Sequence, residues 1–497
     1  MSLAHNFPFF SIILCMVSGV VTSVLKPRAA RWLTVAVTFA VLALSAFTLR
    51  LTLGLEDSYP FLMGHFPAPW GNEIRVGRLE ALMATGLSAI AFLTLLAGHF
   101  RLRDFVTSRK ENLYYIMVDL ALAATLVMIY TNDLFTAYVF IEIMTIASCA
   151  LVIVRQNGHT LAAATRYMVM NLLASGLTLL GISMLYGITG HLLMEPLHDA
   201  VAQIHRTGTY AGPLTVVIAL ITAGLAIKSA MFPFHGWAPD AYAYAPSVSS
   251  AVMSGIISKA YLFLLIKFYW RVIGMDVVVS QHVTGFLFFC GTAGMILASV
   301  FAISQKDIRR MVAYSSVAQI GYVYMGIGLG TTAGIAAAIF QMLAHSAAKS
   351  LLFLSTYELV SASGDRKRFR YLHGAGYRNA VAGVVFTVSS MSMVGIPFTG
   401  GFIAKLQLAA AGMPHGGWTR ALVLIAMALS TLLNAVYFLH TVVSIYRRAP
   451  DIAYPKPLPA PRHCLAALLL SMLVTVWLGV GSAPVLRVIE AGLRMFA

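Results

Sequence analysis

The sequence is poor in charge: Asp, Glu, Lys and Arg supply 10% of its 497 residues, against roughly a quarter in ordinary soluble domains. It is equally poor in the marks of chemistry. Its four cysteines, Cys15, Cys149, Cys290 and Cys464, form no C-x-x-C and no spacing that ligates an iron–sulfur cluster. Each falls in or at the start of a different apolar segment, so they read as buried free thiols. A Walker loop, a Rossmann fingerprint and paired haem histidines across helices are all missing. That argues against a membrane enzyme with redox or hydrolytic chemistry of its own and calls for no cofactor. No basic stretch precedes the first apolar run, so a cleaved secretory signal is not expected and the first helix should stay. Acidic residues are scarce too, 18 against 34 Lys and Arg, leaving a net charge of +16. In a soluble protein that imbalance would raise nucleic acid as a partner.

What is abundant is apolar surface, with 59% hydrophobic residues. A membrane-spanning helix needs about 20 mostly apolar residues. Fourteen stretches qualify: 7–25, 33–51, 79–97, 113–130, 134–154, 167–188, 213–230, 248–270, 283–303, 311–329, 333–360, 381–408, 422–446 and 464–485. The expected fold class is an all-α polytopic membrane protein. The basic residues then find their explanation: 21 Lys and Arg lie in the odd-numbered connections and 7 in the even-numbered ones. The positive-inside rule reads this as odd connections in the cytoplasm and both termini outside. The charge reports orientation in a cell inner membrane, and no nucleic-acid partner is assigned.

The connection 187–212 contains HLLMEPLHDAVAQIHR, amphipathic enough to lie flat at the interface. His191, His198 and His205 recur there every seven residues, but Pro196 is expected to interrupt a continuous helix. A solvated surface is the expectation, and no metal is assigned. Two spans break their own rules. The seventh reads LAIKSAMFPFHGW, with Pro233 and Gly236; the twelfth reads SMVGIPFTGGFIAK, with Pro397, Gly400 and Gly401. Proline removes a backbone donor, and hydrocarbon tolerates that only where neighbours or cavity water satisfy the freed carbonyl. The shared P-F-x-G hints at an internal repeat, and interrupted helices at matching positions are a transporter pattern.

Ionisable groups inside the spans carry the most information. Glu142 lies mid-span in FTAYVFIEIMTIAS, Lys228 just before the first break, Lys259 in SGIISKAYLFLL, His345 and Lys349 at i, i+4 in LAHSAAKSLLFL, and Lys405 after the second break. Asp119 and Glu358 are further buried carboxylates whose roles stay open. Each charge costs roughly 2.5–3.5 kcal/mol at mid-bilayer, so the four lysines together cost about 10–14. Snorkelling relieves a lysine at a helix end but not Lys259, with about ten apolar neighbours on either side. Structural ion pairing is the rival account. A lysine whose proton affinity falls on desolvation and rises beside a carboxylate can hold or release a proton as its partner moves. Lined up with histidine and water, such groups form a relay. The set could also be read as part of a quinone pocket at His345 and Lys349, or as a stand-alone solute carrier.

With these residues in hand the chain resembles the antiporter-like subunits shared by respiratory complex I, Mrp-type multisubunit sodium/proton antiporters and energy-converting membrane hydrogenases. The likeness runs from about residue 113 to 446. It rests on IEIMTIAS, on IKSAMFPFHGWAPDAYAYAPSVSSAVMSGIISK, on SQKDIRRMVAYSSVAQIGY, on LAHSAAKSLLFL and on GIPFTGGFIAK. It implies fourteen helices: three N-terminal ones in 1–112, inverted repeats of helices 4–8 in 113–271 and helices 9–13 in 272–446, and a last helix in 447–497. It implies that Glu142 pairs with Lys228, that Lys259 connects the halves, that His345 and Lys349 continue the axis, and that Lys405 is the exit group. The partners implied are other membrane subunits of one complex, with H+ and possibly Na+ as cargo, which excludes neither a complex I-type nor a hydrogenase-type pumping subunit. Lysine at 228, 259 and 405 with Glu142 looks most like the D-type Mrp antiporter subunit or the smallest complex I member. Gln341 stands where some relatives have a second histidine. With about a dozen residues after the fourteenth span, the long lateral helix of the largest complex I subunit is not expected.

Overall fold

A backbone in hydrocarbon must satisfy its own hydrogen bonds, which an α-helix does within one segment; the apolar runs accordingly become helices. The computed structural model describes residues 3–63, 66, 71–448 and 460–496; Lys456, one of the basic residues counted above, lies outside them. The helices are α1 (Phe7–Val24), α2 (Pro27–Leu53), α3 (Arg78–Gly98), α4 (Ser108–Tyr130), α5 (Leu134–Ile153), α6 (Gly158–Thr189), α7 (Met194–Thr207), α8 (Ala211–Lys228) and α9 (Ala238–Tyr244). They continue as α10 (Ser247–Ile273), α11 (Val283–Ile303), α12 (Ile308–Gly328), α13 (Thr332–Ser361), α14 (Ala380–Val394), α15 (Gly400–Gly412), α16 (Gly417–Tyr446), α17 (Arg462–Val480) and α18 (Ser482–Arg494).

Among the described residues twelve helices are long and apolar enough to cross a membrane. Two of the fourteen expected spans differ, each for a visible reason. Helix α12 is 21 residues long but carries Arg309, Arg310 and a run of Ser, Gln and Tyr. The twelfth span is broken into α14 and α15. Large apolar side chains such as Val24, Phe289, Ile425, Val443 and Val480 are exposed around the perimeter. A surface that apolar belongs in lipid, and the chain is a multi-pass membrane protein.

Local signals set the helix ends. Asp133 accepts from the Thr136 amide at 2.6 Å and opens α5; Asn157, Asp307, Thr331 and Asn379 do the same for α6, α12, α13 and α14. Pro196 does not interrupt the amphipathic segment as expected: it sits in the first turn of α7, where a proline has no intrahelical partner to lose. The apolar face of Met194, Leu197, Val201 and Ile204 is buried, while His191 precedes the helix. One small antiparallel hairpin, Tyr59–Leu62 with Glu73–Val76, fills part of the connection after α2.

Two helices, α10 and α13, have membrane windows buried throughout, whereas the others are a third to four-fifths buried. They form the centre of the bundle. Helix α10 is also irregular, with π-helical turns at Met253–Ile257 and Phe268–Ile273, a deviation that clusters at functional sites.

Candidate functional site: a buried polar axis

Helix α8 ends at Lys228 and the chain turns through Ala230, whose φ is +62°, before Pro233 and a 3-10 turn over Phe234–Trp237. The Ile227 carbonyl, at the end of the helix, accepts from the Ala230 amide at 3.1 Å and from the indole Nε1–H of Trp237 at 2.9 Å. Lys228 is thereby left free for other partners, at a helix C-terminus that favours a cation. Its Nζ donates to Thr145 Oγ1 at 2.8 Å and to the Asn171 carbonyl at 3.2 Å. The expected ion pair with Glu142 is not formed: among the described residues no salt bridge joins the two, and Glu142 Oε1 is buried without a hydrogen-bond partner. Glu142 stands one turn before Thr145 on α5, and its charge still reaches Lys228.

From Lys228, whose ammonium lies 5.7 Å from the Tyr261 ring centroid, the polar line continues into α10. Lys259 is completely buried. Its Nζ donates to the Ser254 carbonyl inside the first π-helical turn and to Ser258 Oγ at 3.3 Å. Ser254 Oγ donates to Ser316 Oγ of α12 at 2.9 Å. On α13, Ser346 Oγ donates to the Gly255 carbonyl at 2.5 Å, which ties the two central helices together beside His345. Both ring nitrogens of His345 are buried and unpartnered, with Lys259 and Lys349 within electrostatic reach. Lys349 Nζ donates to the Val312 carbonyl at 2.7 Å and to Ser315 Oγ.

The second break completes the line. Helix α14 stops at Val394, and Gly395 takes φ +88°, a conformation that favours glycine. Lys405 Nζ returns from α15 to donate to the Val394 carbonyl at 2.7 Å and to Thr431 Oγ1 at 3.0 Å. Gly401 is required by close approach, since a Cβ there would lie 1.8 Å from the Ser392 carbonyl oxygen. Gly236 meets nothing within 4 Å and has no such constraint. The shared P-F-x-G therefore marks both breaks without giving them one geometry: a 3-10 turn follows Pro233, whereas α15 starts at Gly400. Gln341, one turn before His345, donates to Gln319 Oε1 at 2.8 Å, and Gln319 reaches the Met393 carbonyl at 3.5 Å. An amide pair thus stands between His345 and the second break.

Thr145, Asn171, Gln319 and Thr431 were not singled out by the sequence, although Asn171 and Gln319 are polar residues inside apolar helices. Lys267 and Arg271, two of the seven basic residues assigned to the even-numbered connections, lie inside α10 and are buried. Lys267 Nζ donates to the Ile129 and Thr131 carbonyls at the end of α4, and Arg271 Nη2 lies 2.7 Å from Glu80 Oε1. The two open carboxylates find partners as well. Glu358 accepts a two-point contact from Arg101 at 2.7 and 2.9 Å, and Asp119 accepts from Ser18 at 2.7 Å and Thr34 at 3.1 Å.

Fold and site together define a multi-pass helical membrane protein with a line of ionisable side chains through its centre. The family model described as NADH:quinone oxidoreductase/Mrp antiporter, transmembrane, matches residues 131–432. The chain is 33% identical over 470 residues to the NADH-quinone oxidoreductase N subunit of Desulforudis audaxviator, spanning 91% of this chain and 89% of that one. It is 26% identical over 408 residues to the Na(+)/H(+) antiporter D subunit of Bacillus subtilis, spanning 82% and 79%. In structure it is similar to a chain of the membrane-bound sulfane sulfur reductase, an archaeal respiratory membrane complex, with a TM-score of 0.87 at 25% identity, covering 100% of this chain and 98% of that one. The chain belongs to the NADH:quinone oxidoreductase/Mrp antiporter transmembrane family. The resemblance expected from its motifs is borne out on both sides of that name.

Proposed function

We propose that this chain is an ion-translocating subunit of a multisubunit membrane complex and moves protons along the relay Glu142, Lys228, Lys259, His345, Lys349 and Lys405. The observation that carries the reading is that the middle of the polar axis, Lys259, His345 and Lys349, lies on α10 and α13, whose membrane windows are buried throughout. Four buried lysines held along that axis by hydroxyls and backbone carbonyls would be a large and unneeded cost in an inert scaffold. The partners are other membrane subunits, as for the complexes whose chains it resembles. Residues 113–271 and 272–446 act as inverted repeats, each with one broken helix, between an N-terminal unit (1–112) and the last helices (447–497). The protein sits in the cell inner membrane with both termini outside, as the 21-to-7 distribution of basic residues argues.

Lys228 bonded to Thr145 and Asn171 represents one of two positions. Moving its ammonium one helical turn toward the unpartnered Glu142 oxygen would stabilise the proton on lysine; moving it back would favour release toward Lys259. The similarity to a quinone oxidoreductase N subunit favours a second reading, in which the same relay serves a redox-driven pump and no Na+ moves. Proton and sodium fluxes in vesicles carrying the complete complex test both. Flux of H+ with Na+ counter-movement supports antiport and flux of H+ alone a pump. Unchanged fluxes on deleting this chain from an otherwise assembled complex would reject both.

A further inference from the structure

Away from the axis, on the face where the odd-numbered connections gather, the end of α3 meets the start of α17. His99, immediately after α3, and His463 and Cys464, in the first turn of α17, place their ligand atoms within 4.8 Å of one another. We propose that His99, His463 and Cys464 bind a divalent transition-metal ion of zinc-like preference, clipping α17 to α3.

Four observations carry this. First, the two imidazole Nε2 atoms are 3.2 Å apart, close to the edge of about 3.3 Å that two nitrogens span in a tetrahedral zinc site with Zn–N near 2.0 Å. Second, His99 Nδ1 faces the Leu96 and Leu95 carbonyls at 3.1 and 3.3 Å. Donation to a carbonyl puts the proton on Nδ1 and leaves the Nε2 lone pair aimed at the site, the arrangement that metal-ligating histidines use. Third, the donor set is two imidazoles and one thiol, borderline ligands that suit zinc better than magnesium or calcium. Fourth, the site is enclosed on one side only. His99 and Cys464 are buried and His463 is exposed, and the Trp32 ring lies 5.3 and 5.5 Å from the two imidazoles. The exposed side leaves a fourth position for water. The two rings are nearly parallel, 9° apart, so binding requires the exposed His463 ring to turn its lone pair toward Cys464. Ligation releases the Cys464 thiol proton to solvent, and the resulting site carries one net positive charge beside Arg31, Arg101 and Glu358. The alternative is a bare His463–His99 N–H···N hydrogen bond beside a thiol that is held by the Phe100 backbone and binds no ion.

The full-length chain, purified in detergent without a histidine tag and stripped with chelator, should bind one Co2+. The expected signature is near-ultraviolet absorption from thiolate-to-cobalt charge transfer, displaced by Zn2+. Cys464→Ser should abolish that band. His463→Gln, at an exposed position where misfolding is not at issue, should weaken Co2+ binding at least tenfold. Zn2+ should raise the unfolding temperature of the wild type most, that of His463→Gln less at the same concentration, and that of Cys464→Ser least. A wild-type spectrum without the thiolate band, or Co2+ affinity equal in wild type and His463→Gln, overturns the site and leaves the bare hydrogen bond.

Discussion

Replacing Lys405 separates a relay station from a fixed charge. Its Nζ has two partners, the Val394 carbonyl and Thr431 Oγ1, and lies 5.1 Å from the Tyr322 ring centroid. Lys405→Ala leaves the Val394 carbonyl at the end of α14 without a donor, a loss of about 1–3 kcal/mol. It also removes an ammonium from the membrane interior, which recovers roughly 2.5–3.5 kcal/mol. The two terms nearly cancel, so the variant should assemble to near wild-type levels while its transport stops.

Arginine is the sharper test. It keeps the charge and the donors, but with a pKa above about 12 it does not release a proton in proteins. The space is also tight: a Cβ on Gly395 would lie 2.9 Å from Lys405 Cδ. Lys405→Arg is expected to assemble and to transport no better than alanine, and Lys405→Glu to retain part of the activity, since a carboxylate can hand on a proton. The assay is dye-monitored acidification of inverted membrane vesicles, normalised to assembled complex. An arginine variant with wild-type rates would falsify the relay in this half of the molecule, because a fixed positive charge would then suffice.

Glu142→Gln should cut ion-coupled transport at least tenfold with assembly intact; if assembly fails while the surviving copies pump normally, the group is structural. Glu358→Gln weakens the two-point contact with Arg101 and should cost about 3–5 kcal/mol, the usual penalty for breaking a buried pair, seen as a lower unfolding temperature. Transport per assembled copy should stay unchanged, and a selective loss of transport would move Glu358 into the relay. Arg368→Cys in intact cells should resist an impermeant thiol reagent until the membrane is opened, and labelling from outside would invert the proposed topology.

The fold class was legible because hydrocarbon imposes one rule on every segment, and runs of about 20 apolar residues report it directly. Lys228, Lys259, His345, Lys349 and Lys405 were legible for the converse reason: in such segments a charge stands out. What did not show were relations between segments. Nothing in IEIMTIAS says that Lys228 reaches Thr145 instead of Glu142, because that depends on how α5, α6 and α8 approach. Arg271 was misplaced because a π-helical turn carries α10 to Ile273, beyond the expected end at 270, whereas Lys267 already fell inside the expected span 248–270 and was still counted with the connection. Pro196 misled through a rule applied without position, since proline breaks a helix interior but is at home in its first turn. Gln319 was visible as a polar residue in a quoted motif, yet only its contact with Gln341 gives it a place on the axis.

The two breaks solve one physical problem in different ways, and the difference assigns them different tasks. Each ends a helix inside the protein and strands carbonyls there. At the first break the Ala230 amide and the neutral indole of Trp237 cap Ile227, so Lys228 can leave its partners without uncovering a helix end. At the second, Lys405 is itself the cap of Val394. A lysine that loses its proton keeps two N–H bonds and gains a lone pair, so it can go on capping Val394 while accepting from Thr431; its titration demands no movement. If the proposed relay holds, the first half would switch by displacement and the second would pass protons in place. Hydrogen exchange under conditions that drive transport should therefore rise around α5 and α8 relative to the resting complex, and stay unchanged at α14 and α15. Equal increases at both breaks would contradict the division, and would mean that Lys405 leaves Val394 during the cycle as Lys228 leaves Thr145.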